Sequence, residues 1–107
     1  MNFAEYEKAA QRTSNTGTDK DKIINGCMGL AGEAGEVIDV LKKHMFQGHA
    51  LDREKMIDEC SDVMWYLAEI ATGLGVTLEE IAQHNVDKLW KRFPSGFDSV
   101  RSVNREE

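Results

Sequence analysis

The sequence predicts an all-α protein, and three observations support this prediction. The 107-residue chain contains a single proline, Pro94, so most of it is free to form long helices. Apolar residues recur at three- and four-residue steps through two long segments, which is the spacing of one face of a helix. Clusters of turn-forming residues divide the chain into four segments. A domain this small buries little of its surface, so partner subunits are a natural way to complete its core.

Four helices are predicted, at about 2–13, 19–46, 52–74 and 77–93. The fourth has the clearest beginning, because Thr77 and Glu80 have the spacing of a capping box. Pro94 ends it. We therefore expect one domain over residues 1–98, followed by a polar and frayed tail over residues 99–107.

The second and third helices carry matching apolar seams. The two seams are Ile23, Cys27, Leu30, Ala34, Val37 and Leu41, and Met56, Cys60, Val63, Leu67, Ile70 and Leu74. Seams of this kind favour antiparallel packing of the two helices. Further apolar residues lie beside both seams, so we expect a four-helix core that is completed by dimerisation or tetramerisation. Cys27 and Cys60 form no C-x-x-C pair and are predicted to be reduced core thiols.

The net charge and the apolar runs exclude several classes of function. The formal charge is -6, and an acidic surface repels DNA and RNA. No apolar run approaches the roughly 20 residues that span a bilayer, and the first ten residues do not form a signal-peptide core. We expect a cytoplasmic protein that binds neither nucleic acid nor membrane.

Two pairs of carboxylates lie beside the seams. Glu33 and Glu36 are three residues apart on the second helix, and Glu59 and Asp62 are three apart on the third. Each pair therefore lies on one face of its helix. If the helices pack antiparallel, the four carboxylates converge and repel one another. A hard divalent cation such as magnesium, which takes oxygen ligands, would remove that conflict.

Glycines are concentrated in the same part of the second helix. Gly26, Gly29, Gly32 and Gly35 fall within ten residues, and each costs about 1 kcal/mol relative to alanine inside a helix. We expect either a neighbouring helix or a ligand to approach this backbone closely.

The two acidic motifs resemble a known family. Glu33-Ala-Gly-Glu36 followed by Glu59-Cys-Ser-Asp62 is similar to the E-x-x-E…E-x-x-D signature of the MazG-like nucleotide pyrophosphohydrolases, within the all-α NTP pyrophosphatase superfamily. The segments 29–36, 62–66 and 85–94 are similar as well. The resemblance extends from Phe3 to about Phe97.

The resemblance implies a metal-dependent hydrolase. Magnesium, with manganese as a substitute, would be held by Glu33, Glu36, Glu59 and Asp62. A metal-activated water would cleave a nucleoside triphosphate between its α and β phosphates, giving the monophosphate and pyrophosphate, in a nucleotide-pool housecleaning role. Family members form homodimers or homotetramers whose active sites are completed around the helical core.

Five further side chains are candidate substrate ligands. Asn85, Lys88 and Arg92 follow one stripe of the fourth helix, and Lys and Arg suit phosphate oxygens. Basic residues late in a helix also compensate its dipole, so a structural role stays open for them. Tyr66 lies one turn beyond Asp62, and Lys43 continues the row of Glu33 and Glu36.

A second class of function also fits the sequence. The same bundle without catalysis would serve as a helical module that senses nucleotides or binds a protein partner. The base and sugar of the substrate, the number of metal ions, the general base among the carboxylates and the choice between dimer and tetramer are left open by these residues.

Overall fold

The computed structural model describes residues 1–105 and confirms the all-α prediction. The helices are α1 (Phe3–Gln11), α2 (Asp19–Phe46), α3 (Arg53–Leu74), α4 (Leu78–Arg92) and α5 (Ser99–Val103). No β-strand occurs in the described part of the chain, and no helix there is long and apolar enough to cross a membrane. The capping box expected at Thr77 and Glu80 is present at the start of α4.

Helix α5 corrects the expectation of a frayed tail and adds a fifth helix to the four predicted. Asp98 caps it by accepting hydrogen bonds from the backbone N–H groups of Val100 and Arg101. Arg101 Nε donates to the carbonyl oxygen of Arg92, at 2.7 Å, and so fastens α5 to the end of α4. The polar composition of this segment does not show that Asp98 caps a helix or that Arg101 bonds to the end of α4. Residues 106 and 107 of the expected tail lie outside the described residues, and the domain boundary at residue 98 stays a prediction.

Helices α2 and α3 form an antiparallel hairpin, which is the most extensive helix contact in the chain. Its line of contact passes through Gly26 and Gly29 of α2. A Cβ atom on Gly26 would lie 2.5 Å from Ile70 Cγ1 and 3.1 Å from the carbonyl oxygen of Tyr66. A Cβ atom on Gly29 would overlap the Tyr66 ring. These two glycines therefore allow the helix to approach closely, whereas Gly32 and Gly35 face open space within the chain.

The contact between α2 and α3 differs from the predicted seams. Ile70 belongs to a predicted seam, but Gly26, Gly29 and Tyr66 each lie one position before a seam residue. As a result Cys27 and Cys60 are exposed, and the prediction that they are core thiols is wrong for this chain. Leu41 and Leu74, at the ends of the predicted seams, are exposed as well. The physical reason is that Gly26 and Gly29 are small enough for Tyr66 and Ile70 to pack against α2. The helices therefore meet on these residues and not on the cysteines.

The buried apolar core of the described residues is small. It consists of Ala10, Ala68, Ala71 and Leu78, and lies where α1 and the start of α4 meet the second half of α3. The Glu7 carboxylate accepts a hydrogen bond from the Leu78 N–H and holds α1 against α4. Large apolar side chains stay exposed, among them Met28 (72%), Ile38 (66%) and Phe46 (77%). The radius of gyration is 16.9 Å, against about 13 Å for a compact domain of this length.

A buried carboxylate, Glu69, connects the α1–α2 loop to α3. It is fully buried, and Lys22 Nζ lies 3.5 Å from its Oε1 atom. Its oxygens accept hydrogen bonds from four uncharged side chains: Gln11 (3.3 Å), Ser14 (2.9 and 3.1 Å), Thr16 (3.1 Å) and Asn25 (3.2 Å). Burial opposes ionisation of Glu69, but these hydrogen bonds outweigh it and hold its pKa below the usual value.

The hairpin contact predicts opposite effects for two Gly→Ala substitutions. Gly26→Ala is expected to destabilise the protein by about 2 kcal/mol, because the backbone atoms around the new methyl group cannot move aside easily. Gly32→Ala, in the same helix, is expected to stabilise it by about 0.5–1 kcal/mol. Urea unfolding at equal protein concentration measures both. Equal effects of the two substitutions would contradict the close contact.

The Glu69 network predicts a dependence of stability on pH. Because the pKa of Glu69 is lower in the folded chain than in the unfolded chain, the carboxylate stabilises the fold above about pH 4.3. That contribution is lost as the pH falls through the folded-state pKa. Glu69→Gln is therefore expected to cost about 3 kcal/mol at pH 7, because it leaves Lys22 beside a neutral group, and less at pH 3.

Urea unfolding at the two pH values measures this difference. Glu5→Gln, at an exposed position of α1, is the control and should change the free energy of unfolding by less than about 1 kcal/mol at either pH. A Glu69→Gln deficit that is the same at pH 7 and pH 3 would contradict the role of the ionised carboxylate.

Candidate metal centre

Three of the four predicted metal ligands meet in the middle of the hairpin. One carboxylate oxygen from each of Glu33, Glu59 and Asp62 lies within 4.8 Å of the other two. Glu33 is on α2, and Glu59 and Asp62 lie one turn apart on α3. Glu59 is buried, and the other two are half-buried. The antiparallel packing of α2 and α3 is what places residues from the two motifs opposite each other.

Glu36, the fourth predicted ligand, lies at the rim of this cluster rather than within it. It is exposed on α2, one turn beyond Glu33. Its charge still contributes to the raised pKa of Glu33, as the smallest of several causes. It also lines a cavity of about 480 Å³ near the α2–α3 loop, together with Lys43 and Lys55.

The carboxylates of the cluster are electrostatically distinct. A hydrogen bond with Glu59 is the main cause that raises the pKa of Glu33, followed by burial and by the charge of Asp62. Lys55 Nζ lies 3.0 Å from Glu59 Oε1, and hydrogen bonds with Lys55 and then Glu33 lower the pKa of Glu59. Without a metal, the surroundings therefore favour the negative charge more strongly on Glu59 than on Glu33.

The donor set fits a hard divalent cation. All three ligands are carboxylate oxygens, and neither a thiol nor an imidazole belongs to this cluster. Ligands at about 2.1 Å from a magnesium ion lie roughly 3–4 Å from one another, so the observed spacing needs only a small contraction. The ion's charge would favour that contraction, because it relieves the repulsion among the carboxylates.

Two residues near the cluster were not among the predicted site residues. Lys55 forms an ion pair with Glu59. Its four-residue spacing from Glu59 could have predicted this pair from the sequence. Tyr6 of α1 is the second: burial, and then the charge of Asp62, raise the pKa of its phenol. No local spacing could reveal Tyr6, because it approaches Asp62 only through the packing of α1 on α3.

Tyr66 lies in the hairpin contact, one turn beyond Asp62. Its ring packs over Gly29 and meets the Trp65 ring edge-on, with centroids 5.1 Å apart. Trp65 Nε1 in turn donates to Thr13 Oγ1 at 2.9 Å. The structure therefore gives the Tyr66 ring a packing role in the hairpin, and its role as a substrate ligand stays a prediction.

The predicted phosphate ligands are not members of the acidic cluster within one chain. Lys43 forms an ion pair with Asp39, at 2.9 Å. Asn85 and Lys88 are exposed on α4. Lys88 and Arg92 line a separate cavity of about 700 Å³, and neither is among the groups that shift the pKa values of Glu33 and Glu59.

These features define an all-α protein with a cluster of three carboxylates on a helical hairpin. The MazG nucleotide pyrophosphohydrolase domain matches residues 25–97, and the chain belongs to that family. The matched range includes all four predicted ligands and α4. The Gene 37 protein of Mycobacterium phage L5 is 38% identical over 82 residues, which cover 73% of this chain and 72% of that protein. No solved structure matches the chain.

The acidic cluster predicts that magnesium stabilises the protein. At 100 times its Kd, an ion that binds only the folded state adds about 2.7 kcal/mol, which is roughly 10 °C in Tm for a chain of this size. Glu33→Gln is expected to remove most of that gain. Without metal the same variant should be as stable as the parent or more stable, because it has one charge fewer in the cluster.

Thermal melting with and without magnesium measures both effects. Glu54→Gln, at an exposed position on α3 outside the cluster, is the matched control and should keep the full gain. An equal magnesium effect in Glu33→Gln and in the control would mean that the ion binds elsewhere.

Proposed function

We propose that this chain is a magnesium-dependent nucleoside triphosphate pyrophosphohydrolase. It cleaves the bond between the α and β phosphates and releases a nucleoside monophosphate and pyrophosphate. The observation that supports this proposal is the convergence of Glu33, Glu59 and Asp62 oxygens within 4.8 Å on the α2–α3 hairpin. Membership of the MazG nucleotide pyrophosphohydrolase family agrees with it. Its place of action would be the nucleotide pool of the cytoplasm.

In this proposal Glu33, Glu59 and Asp62 hold the cation, and manganese can replace magnesium because both prefer oxygen donors. When bound, the ion supplies positive charge against the phosphates and lowers the pKa of a coordinated water. Lys55 keeps Glu59 ionised and correctly placed as a ligand. Hydrolysis forms one bond from a water oxygen to phosphorus, breaks the α–β bridging bond and releases one proton. Glu36 lies outside the three-residue cluster, so its carboxylate is our candidate for the proton acceptor.

The proposed substrate ligands fall into two groups. Tyr66 and Lys43 lie on the hairpin, close to Asp62 and Glu36 respectively. Asn85, Lys88 and Arg92 lie on α4, and none of them belongs to the acidic cluster of their own chain. We propose that the α4 residues reach the phosphates of a substrate bound to the hairpin of another subunit.

A homodimer or homotetramer would explain the exposed apolar surface. Only four apolar residues are buried among those described, and large side chains such as Met28 and Phe46 are exposed on α2. Covering this surface with a second copy would supply the core that one chain lacks. Sedimentation velocity measures the assembly directly.

A panel of nucleoside triphosphates tests the proposed reaction. With magnesium, the protein should release pyrophosphate and a monophosphate from at least one of them. Glu59→Gln and Asp62→Asn should each lower kcat/KM by more than about 100-fold, which corresponds to about 2.7 kcal/mol of transition-state stabilisation. Glu54→Gln should retain the parent activity.

The product and the binding data discriminate among the alternatives. Orthophosphate as the first product would contradict the assignment of the cleaved bond. Nucleotide binding without turnover of any triphosphate, in the presence of magnesium or manganese, would instead identify a non-catalytic sensing module. The converging carboxylates favour the enzyme, because a scaffold has no need of three acidic groups in one place.

A further inference from the structure

A lysine ammonium group lies directly on the acidic cluster. Lys55 Nζ is 3.0 Å from Glu59 Oε1, and the Glu59 side chain is only 7% exposed. The hydrogen bond with Glu59 is the main cause that raises the pKa of Lys55, and the charges of Asp58 and Glu36 raise it further. Lys55 therefore supplies positive charge to the cluster when no other cation is bound to it.

Helix stability does not account for a lysine at this position. Lys55 is the third residue of α3, and its backbone N–H bonds to the capping carboxylate of Asp52. A cation in the first turn faces the positive end of the helix dipole, which disfavours it. A lysine four residues before a glutamate is also the weaker of the two orientations of such a pair. The position of Lys55 is better explained by the cluster than by the helix.

The two members of this ion pair differ in their freedom to move. Glu59 is buried between α2 and α3, so its carboxylate is held in place. The Lys55 side chain is 52% exposed and carries its charge on a flexible four-carbon chain. Two cations on one carboxylate repel each other strongly in a half-buried site. Lys55 is therefore the group that moves away when a divalent cation binds to Glu59.

A phosphate group on that cation would lie within reach of the displaced ammonium. Magnesium bound to a few carboxylates takes substrate phosphate oxygens among its remaining ligands. Lys55 starts 3.0 Å from one of the proposed ligands of the ion, so it needs to move only a short way to meet such an oxygen. It also lines the cavity of about 480 Å³ that Glu36 and Lys43 share, which gives its side chain room to move.

We propose that Lys55 exchanges partners when the site is loaded. It binds Glu59 when no metal ion is present, and it binds a phosphate oxygen of the substrate once a divalent cation occupies Glu59. The phosphate part of this exchange rests on the proposed function, whereas the competition with the cation rests on the ion pair and the carboxylates. As a consequence, Lys55 weakens the binding of metal alone and favours the joint binding of metal and nucleotide.

Calorimetric titration of the full chain with magnesium, without nucleotide, tests the competition. Lys55→Gln is expected to lower the Kd for magnesium at least fivefold, because it removes the competing cation. Lys42→Gln is the matched control: Lys42 is also 52% exposed and pairs with a carboxylate on its own helix, Asp39 at 3.3 Å, outside the cluster. This control should change the Kd less than twofold.

A second substitution covers the case in which Lys55→Gln does not fold. Lys55→Arg keeps the positive charge, and a guanidinium group binds a carboxylate more firmly than an ammonium does. It is therefore expected to raise the Kd for magnesium, in the direction opposite to Lys55→Gln. Urea unfolding in EDTA shows whether each variant is folded.

Titration with pyrophosphate at saturating magnesium tests the phosphate contact. Lys55→Gln should raise the Kd for pyrophosphate at least fivefold, although the same variant binds magnesium more tightly. Lys42→Gln should again change the Kd less than twofold. Neither titration depends on hydrolysis. A chain that binds both ligands as expected but cleaves no nucleoside triphosphate would count against the proposed function and not against the exchange.

Three results would overturn the proposal. The first is a magnesium Kd in Lys55→Gln that is equal to or higher than that of the Lys42→Gln control, because Lys55 would then only position Glu59. The second is a magnesium Kd in Lys55→Arg that is equal to or lower than that of the parent. The third is an unchanged pyrophosphate Kd in Lys55→Gln, because the displaced ammonium would then not bind phosphate.

Discussion

The close approach of α2 and α3 at Gly26 and Gly29 is the contact on which the rest of this structure depends. Tyr66 and Ile70 occupy the space left by the two missing side chains, and this favours the observed register of the two helices. That register places Glu33 opposite Glu59 and Asp62. A slip by one helical turn would move one carboxylate set about 5.4 Å past the other, which is more than the whole width of the cluster. The geometry of the acidic site is therefore decided by uncharged residues outside it.

Two buried carboxylates of α3, Glu59 and Glu69, differ in the charge of their surroundings, and their hydrogen-bond partners explain the difference. Glu69 is fully buried, but four neutral donors and Lys22 satisfy its oxygens, so its charge is stabilised without any ligand. Glu59 is also buried, yet its neighbours include Glu33 as well as Lys55. Its surroundings hold an excess of negative charge. The surroundings of Glu69 already balance its charge, whereas those of Glu59 are suited to a cation.

The sequence was most informative where spacing along one helix decides the geometry. The three-residue spacing of Glu59 and Asp62 placed both on the side of α3 that meets Glu33 of α2. Spacing alone could not show that Glu36 lies at the rim, because this depends on the angle at which α2 is turned toward α3. Cys27 of α2 and Cys60 of α3 are both exposed, although simple apolar periodicity assigned them to the core.

Contacts between distant segments were beyond the reach of such patterns. The approach of Tyr6 to Asp62 and the burial of Glu69 under the α1–α2 loop join residues more than fifty positions apart. Helix α5 was missed for a related reason, since its stability comes from Asp98 and from the fastening of Arg101 to α4 rather than from its own composition. In each case the decisive partner is remote or lies just outside the segment concerned.

The small apolar core of the single chain ties its folding to any association with other copies. Residues 1–105 include four buried apolar side chains, three of them alanine, and these give an isolated copy little hydrophobic stabilisation. Any association that covers Met28, Ile38 and Phe46 would then contribute a large share of the folding free energy. Melting temperature would rise with protein concentration, and dilution would loosen the hairpin and its acidic site together.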